Sequence, residues 1–470
     1  MKVSDPLLSA WARTLDRHQN RPAILDEHRT SVRTFEQIER RADDFAASLH
    51  QFGEGSVVAV QIGNHPDWPS VLLGCLRKGL VVVPLDRTVS AQDRDAALKI
   101  CQASGLVTFD PADPECPNDA APAVSRIGVQ DVSWRDNTPC LLKLTSGTTA
   151  APRAIRFRSQ QLIADCDQIC NTMGIAEDDL NFGVIPISHS YGFSNLLTPL
   201  LVRGVPLVLT SDRVPRAVLR NLARSDATVF AGMPIFYQAF VAMAEPLPLP
   251  KLRLCISAGA PLPTQLGSEF SEKYGRSIHS FYGSSECGGI CYDREGNCSE
   301  QGFVGPPMNG VTIEPVECGS TATQVRIRSE AVGDGYFPDS DEGKLGNGTF
   351  TPDDLLARSE NGWRTVGRVS DVINVAGKKV NPAEVEAELL SVPGVREAAV
   401  FGRTSSLRHQ EVAACVVVRS ALSENDLLKI CRRRLSAWQV PKRIFLLDEL
   451  PVNERGKLSR RDLAVRFAGE

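Results

Sequence analysis

Apolar residues recur at helical spacing after Thr34. Ile38, Ala42, Phe45 and Leu49 repeat until Gly53, and Thr34-Phe35-Glu36-Gln37 has the form of a capping box, so the pattern predicts a helix over 34–51. A short apolar strand, Val57–Ile62, follows. A helix carrying Val71, Leu72, Cys75 and Leu76 comes next, and then the run Leu80–Val83. The alternation returns in Val205–Leu209, a helix over 215–223, Ala227–Phe230, and Leu252–Ser257, the last entering the turn Ala258-Gly259-Ala260-Pro261. Helices alternating with buried strands predict layered α/β sheets.

From Gly302 to about Arg328 the texture changes to short strands and turns, which predicts a β-rich subdomain. A second boundary falls near Gly367. Beyond it, Asn381-Pro382-Ala383-Glu384 offers an N-cap, a proline at the first helical position and a carboxylate able to reach back, with Val385 and Leu389 on one face. Strands Ala398–Phe401 and Val412–Val418, a helix opened by Ser423 and a strand Arg443–Leu447 complete a small α+β unit. The expected organisation is a large N-terminal domain over 1–366, a hinge at 367–371 and a small C-terminal lid domain over 372–470.

Length agrees with this division, since 470 residues exceed what one core organises. Lys and Arg number 52 against 56 acidic residues, and no long single-sign run occurs, which excludes a nucleic-acid or membrane-surface protein. Thirteen cysteines stand singly, many in apolar surroundings such as Cys75, Cys255 and Cys415, the usage of a reducing compartment. The N-terminus lacks a signal-peptide core. The longest apolar stretch, Leu196–Leu209, is broken by Arg203, Gly204 and two prolines, so no transmembrane segment is expected and the expected location is cytoplasmic.

Four segments carry chemistry. Residues 145–153, Thr-Ser-Gly-Thr-Thr-Ala-Ala-Pro-Arg, form a hydroxyl-rich glycine loop directly after an apolar run, suited to a phosphate cradle or to an ordinary polar turn. Ser280–Glu286 groups an aromatic ring, a glycine, two hydroxyls and a carboxylate; the ring suits a base and the carboxylate suits Mg²⁺. Pro352-Asp353-Asp354-Leu355 with Gly367-Arg368 pairs an acid with an arginine able to grip ribose hydroxyls. Lys457 lies on the glycine-containing loop Pro451–Arg460. Taken singly, Tyr282 reads equally as core, Asp354 as a helix cap and Lys457 as a solvated lysine.

In this order and at these separations, the segments resemble the acyl-adenylate-forming superfamily of acyl-CoA synthetases, stand-alone adenylation domains and luciferases, over essentially the whole chain. The resemblance implies that Thr145, Ser146, Gly147, Thr148 and Thr149 contact the triphosphate of ATP. It implies that Tyr282, with Gly283 and Ser285 beside it, stacks near adenine against Ala258, Gly259 and Ala260. Glu286 would bind Mg²⁺, Asp354 and Arg368 would hold the ribose, and Lys457 would bridge the substrate carboxylate and the nucleotide. His189 matches an aromatic gate beside that carboxylate, and the small domain would swing between two half-reactions, using the loop around Gly377 in the second. The acyl pocket would draw on the segment 232–240 with Phe236, on Gly259, and on Cys287 and Gly288. Those walls read as apolar, with no basic or acidic partner, which points to an aromatic or aliphatic monocarboxylate, and Gly288 and Gly289 suggest an open tunnel. The implied acceptor is CoA, or a carrier-protein phosphopantetheine.

The chain departs from the family at Ala150, Ala151, Arg153 and Ala154, where the family loop usually continues Gly, any residue, Pro, Lys, Gly. It departs also at the hinge, where Ser370 takes the place of Asp or Lys with Asp371 next, and at Asn374 in place of lysine. These changes keep open a non-catalytic nucleotide or acyl-AMP binder, and a luciferase-like oxygenase is the remotest reading. Arg432, Arg433 and Arg434 read as a solvated helix face rather than a CoA contact. His279 and His409 read as structural or solvent-exposed, and the pairs Cys166/Cys170 and Cys287/Cys291 lack the company a metal needs.

Overall fold

Thr34 opens the helix Phe35–Ser48 with both halves of a capping box: its hydroxyl accepts from Gln37 N–H at 3.2 Å, and the Gln37 side chain accepts from Thr34 N–H at 2.8 Å. Ile38, Ala42 and Phe45 lie on its buried face, where a large apolar side chain contributes about 1.5–3 kcal/mol. The helix ends three residues before the expected 51, because Leu49 leaves helical geometry and its N–H bonds to Ala46 O. The structure, a computed structural model, describes residues 5–109, 120–128, 132–134, 137–145, 153–210, 212–296, 298, 300–316, 322–375, 378–405, 409–419, 422–451 and 459–467.

The chain divides into two compact units, one of Met1–Glu314, Arg326–Thr351 and Ser359–Trp363, the other of Pro315–Val325, Pro352–Arg358 and Arg364–Glu470. The first holds two large sheets. One has eight strands in the order Gly288–Tyr292, Ile278–Ser284, Leu254–Ser257, Val229–Gly232, Asn181–Gly183, Leu207–Leu209, Pro22–Leu25 and Ser31–Thr34. Its six inner strands are parallel and its two edge strands antiparallel. The other has seven strands centred on Val57–Val60, Val81–Pro84 and Leu141–Leu144, with Ala154–Phe157 antiparallel beside the last. Val57, Ala59, Val81, Val83 and Leu142 are buried on one of its faces. Parallel strands covered on both sides need such uniformly apolar runs, which is why the pattern was readable. The expected layered α/β architecture and the short strands after Gly302, Phe303–Gly305, Thr312–Pro315 and Thr323–Arg328, are present.

In the second unit, Val395–Ser405 and His409–Val418 form a long antiparallel pair, and Arg443–Leu447 lies parallel to the latter. The helices Pro382–Leu390 and Glu424–Arg434 supply Val385, Leu389, Leu427 and Leu428 to one core, while Arg460–Arg466 supplies Leu463 to another with Phe401 and Phe445. Alternation along the two long strands feeds both cores. Asn381 caps its helix by accepting from Ala383 N–H at 3.2 Å, but Glu384 does not complete a capping box; its carboxylate accepts from Gln439 Nε2 at 3.0 Å instead. The segment 367–371 closes the strand Gly362–Arg368 and forms the 3-10 turn Val369–Asp371. Among the described residues, no helix is long and apolar enough to cross a membrane.

Candidate active site

Parallel strands deliver their carboxyl ends to one edge of a sheet, where ligands of open α/β sheets bind. The segments leaving Asn181–Gly183, Val229–Gly232, Leu254–Ser257 and Ile278–Ser284 carry His189, Phe236, Ala258–Ala260 and Ser285–Gly288. Two contacts knit that edge together: Ala258 N–H donates to Gly232 O at 3.2 Å, and Ser190 Oγ donates to Ser285 Oγ at 2.9 Å. Gly259 adopts φ +85°, a backbone that L side chains resist, so the turn requires glycine although a Cβ would meet nothing nearer than Met233 at 3.8 Å. Tyr282 is half-buried opposite Cys291, and Gly283 opposite Gly289. Ser257 Oγ, buried at the strand end, has no partner among the described residues, an orphan that suits a polar ligand.

Glu286 sits beside this edge, and its Oε1 accepts from the Tyr336 hydroxyl at 3.2 Å. Burial pushes its carboxyl up, opposed by its backbone hydrogen bond, the Tyr336 and Ser284 hydroxyls and the charge of Lys344. A desolvated carboxylate gains from a nearby cation, and an oxygen donor suits a hard one, so Glu286 fits Mg²⁺. The other side of Tyr336 is occupied too. The Arg153 guanidinium lies 4.7 Å from its ring centroid and 3.7 Å from the Asp341 carboxylate. Arginine, flat and delocalised, lies over aromatic faces more often than lysine, which gives the departure at 153 a physical reason. The sequence reading missed Tyr336; its position in the aromatic pair Tyr336-Phe337 was the available signal.

Arg153 also closes the glycine loop. Thr145 N–H and Thr145 Oγ1 donate to Arg153 O at 2.8 and 3.1 Å, and Arg153 N–H donates to Thr145 Oγ1 at 3.3 Å. The Thr145 hydroxyl thus ties Thr145 to the backbone of Arg153. Ser146, Gly147, Thr148 and Thr149 lie outside the described residues, as do Gly377 and Lys457.

His189 faces Asp86, a residue the sequence reading did not single out, with Nε2 donating to Oδ2 at 3.0 Å. Asp86 Oδ1 accepts from the Thr88 N–H at 2.8 Å and hydroxyl at 2.6 Å. The hydrogen bond from His189 holds the Asp86 carboxyl well below the usual range; burial works against it, and the two Thr88 donors add to it. The imidazole is thus oriented by a carboxylate, while 44 % of its side chain remains exposed.

The acyl-pocket expectations need two corrections. Gly288, at φ +67°, would place a Cβ 2.0 Å from Asp165 Oδ1, and a Cβ at Gly289 would meet Met308 Sδ at 2.5 Å. Protein atoms fill the space expected to be a tunnel. The walls also have charged neighbours. Asp165 is buried, accepting from Gly289 N–H at 3.0 Å and from the Ser194 hydroxyl, and Lys143 is buried with Asp165 as its foremost electrostatic partner. The signal was a lysine inside the run Cys140–Leu144, which the strand reading treated as apolar throughout. Phe236 packs edge-on against Phe230 at 6.3 Å, and Cys287 is fully buried, its sulfur 3.3 Å from Ser284 Oγ. Burial pushes the Cys287 thiol up.

In the second unit, Arg368 Nε donates to Asp354 Oδ1 at 2.8 Å, so the two expected ribose residues are brought together. Ser370 Oγ donates to Asp371 Oδ1 at 3.4 Å, and Asn374 N–H donates to Gln410 Oε1 at 2.7 Å. Arg432, Arg433 and Arg434 are exposed, as a solvated face should be, with Arg434 3.6 Å from Glu388. In the first unit, His279 Nδ1 donates to Asp293 O at 2.8 Å and stacks on Tyr292, a structural role. Cys166 and Cys170 lie 4.0 Å apart with both sulfurs buried.

Comparison with known proteins bears on these arrangements. The AMP-binding enzyme family matches residues 11–337, and the AMP-binding enzyme C-terminal domain matches residues 384–457. A feruloyl-CoA synthase of an Amycolatopsis species is 29 % identical over 482 residues, spanning 95 % of this chain and 98 % of its own. A 2-succinylbenzoate–CoA ligase of Bacillus velezensis is 26 % identical over 462 residues, spanning 93 % and 94 %. Among solved structures, ATP-bound MatB from Rhodopseudomonas palustris superimposes with a TM-score of 0.83 at 22 % identity, covering 98 % of this chain and 99 % of that one, a likeness of fold.

Proposed function

The chain belongs to the AMP-binding enzyme family, and we propose that it is an Mg-ATP-dependent acid–CoA ligase acting through an acyl-AMP on an aromatic or aliphatic monocarboxylate. The observation that carries this reading is Glu286, desolvated and held by Tyr336 beside a sheet edge that also presents His189, Ser285 and the Ala258–Ala260 turn. Relatives that span nearly the whole chain carry the names of CoA ligases, which supports CoA over a carrier protein as the acceptor. Among the described residues, eleven buried free thiols fit a reducing compartment, and we place the protein in the cytoplasm.

In the first half-reaction a carboxylate oxygen of the acid bonds to the α-phosphorus, the bridging bond to the β-phosphate breaks, and pyrophosphate leaves. Two anions meet, so positive charge must grow more effective as the pentavalent state forms. Lys457 supplies that charge by position, not as a base. Ser146–Thr149 hold the triphosphate, Tyr282 and the Ala258–Ala260 turn hold adenine, and Asp354, aligned by Arg368, accepts from the ribose hydroxyls. Glu286 would hold Mg²⁺, which offsets phosphate charge when bound. His189, oriented by Asp86, borders the acid's carboxylate. In the second half-reaction the CoA thiolate attacks the acyl carbon, a C–S bond forms, and AMP departs.

ATP–pyrophosphate exchange across benzoates, cinnamates, fatty acids and amino acids tests the reading. Exchange with a monocarboxylate, followed by thioester formation on adding CoA, is the expected result. No exchange with any acid would overturn it in favour of a non-catalytic nucleotide binder.

A further inference from the structure

Asp86 follows the strand Val81–Pro84 and is held from several sides. Gln61 Nε2 donates to its backbone O at 3.0 Å, and the Thr88 N–H and hydroxyl occupy Oδ1 at 2.8 and 2.6 Å. Oδ2 is left for His189, whose Nε2 lies 3.0 Å away. The imidazole is fixed from its own backbone as well: His189 N–H donates to Pro186 O at 3.0 Å, and His189 O accepts from Phe193 N–H at 2.8 Å. Carboxylate and ring leave strands of different sheets, the seven-stranded and the eight-stranded one, within the same compact unit.

An ionised carboxylate can only accept, so the hydrogen shared by the pair sits on Nε2. In the neutral ring this leaves Nδ1 bare, an acceptor; a second proton turns Nδ1 into a donor and gives the ring its charge. His189 Nδ1 has no partner among the described residues, and 44 % of the side chain is exposed, so the ring is open to a ligand. A carboxylate set against the bare nitrogen meets a lone pair and is repelled. Set against Nδ1–H, it gains a charge-assisted hydrogen bond. Arg87, Asp212, Arg213 and Glu286 stand on the surrounding loops, and each has a contact of its own. Arg87 lies over Gly63, Asp212 Oδ2 accepts from Asn221 Nδ2 at 2.7 Å, Arg213 Nη1 donates to Val184 O at 2.7 Å, and Glu286 accepts from the Tyr336 hydroxyl.

Resting on the acid–CoA ligase reading, we propose that Asp86 is a positioning residue that assigns His189 Nδ1 to the acid, so that His189 receives the carboxylate as an imidazolium and acid binding requires one proton on the ring. Asp86 serves this in two ways. Its oxygen fixes which nitrogen faces the ligand, and its negative charge favours the cationic ring. A ring that acted as a spacer alone would bind the acid equally well in either charge state.

The test is kcat/KM for the acid in ATP–pyrophosphate exchange at saturating Mg-ATP, using the best acid of a benzoate, cinnamate and fatty-acid panel. The pH runs from about 6 to 9.5, where such carboxylic acids stay ionised. Above the titration of the ring the parent should lose about tenfold per pH unit, the slope of one required proton, while kcat/KM for ATP at saturating acid stays level. Asp86→Asn, which can still accept from Nε2–H but carries no charge, should move the falling limb to lower pH by about 1 unit or more. His189→Phe should abolish the limb and hold kcat/KM for the acid near the low level that the parent reaches at high pH. A parent profile that is flat or rises with pH overturns the inference, as does a falling limb that survives His189→Phe or one that Asp86→Asn leaves in place. Should Asp86→Asn fail to fold, the parent profile and His189→Phe decide. Exchange with the wrong pH profile sinks this inference alone, whereas no exchange with any acid sinks the ligase reading and the inference with it.

Discussion

Arg460 Nη1 donates to Asp371 Oδ2 at 2.7 Å, and the same guanidinium reaches Glu386 at 2.8 and 3.0 Å and Val400 O at 2.9 Å. One side chain thus ties the start of the last helix, three residues after Lys457, to the 3-10 turn at the expected hinge. Asp371 is committed to this tie, beside Ser370. Arg460→Ala should destabilise the protein by about 1–2 kcal/mol, below the range for a fully buried pair because all three side chains retain some exposure. Chemical denaturation checks this, and an unchanged midpoint would show the network to be energetically idle.

Tyr336→Phe removes the hydroxyl that Glu286 accepts and leaves the ring under Arg153. One hydrogen bond to a charged acceptor is worth about 1.5 kcal/mol at the low end, or roughly tenfold. The Mg²⁺ concentration giving half-maximal pyrophosphate exchange should rise by about that factor while the acid preference stays fixed. An unaltered Mg²⁺ titration would separate Tyr336 from the metal carboxylate.

Arg153→Lys restores the residue the family usually carries, yet it should weaken the site. The guanidinium contact with the Tyr336 ring is weakened, at about 0.5–2 kcal/mol, so KM for ATP should rise roughly 2- to 30-fold. A fall in KM would show that Arg153 is a defect instead of an adaptation.

Acid should loosen the His189 clasp. A carboxyl depressed in the fold binds fewer protons folded than unfolded, so Asp86 stabilises fully above the ordinary carboxylate value near ~4 and loses that contribution as pH falls toward its depressed value. Asp86→Asn should flatten the acid limb of stability against pH between about 5 and 2, measured by urea unfolding. An identical slope in parent and variant would contradict the coupling.

Lys457→Ala should cut adenylation by at least ~10²-fold with ATP still bound, the scale for losing one contact to developing charge. Equal exchange in parent and variant would remove Lys457 from that role.

Much of the fold was legible because parallel strands covered on both faces must be uniformly apolar, as in Val57–Val60 and Val81–Val83. The pairing of Asp354 with Arg368 was legible as well, since each belongs to a local motif. Tyr336, Asp86, Asp165 and Lys143 were not. Tyr336, Asp86 and Asp165 act through partners at least fifty residues away in the chain, and Lys143 meets Phe157 and Phe193, pairs that only the fold brings together. The glycines at 288 and 289 misled for the same reason, because the atoms that fill their space come from 165 and 308.

The buried cysteines have a chemical consequence for an enzyme that makes an acyl-adenylate. Such an intermediate acylates any thiolate it meets, and Cys287 belongs to the expected wall of its pocket. With no surface open to solvent and its sulfur beside Ser284, Cys287 has little access to the reactive carbon. Self-acylation is suppressed, and the mixed anhydride is kept for a thiol that arrives from outside.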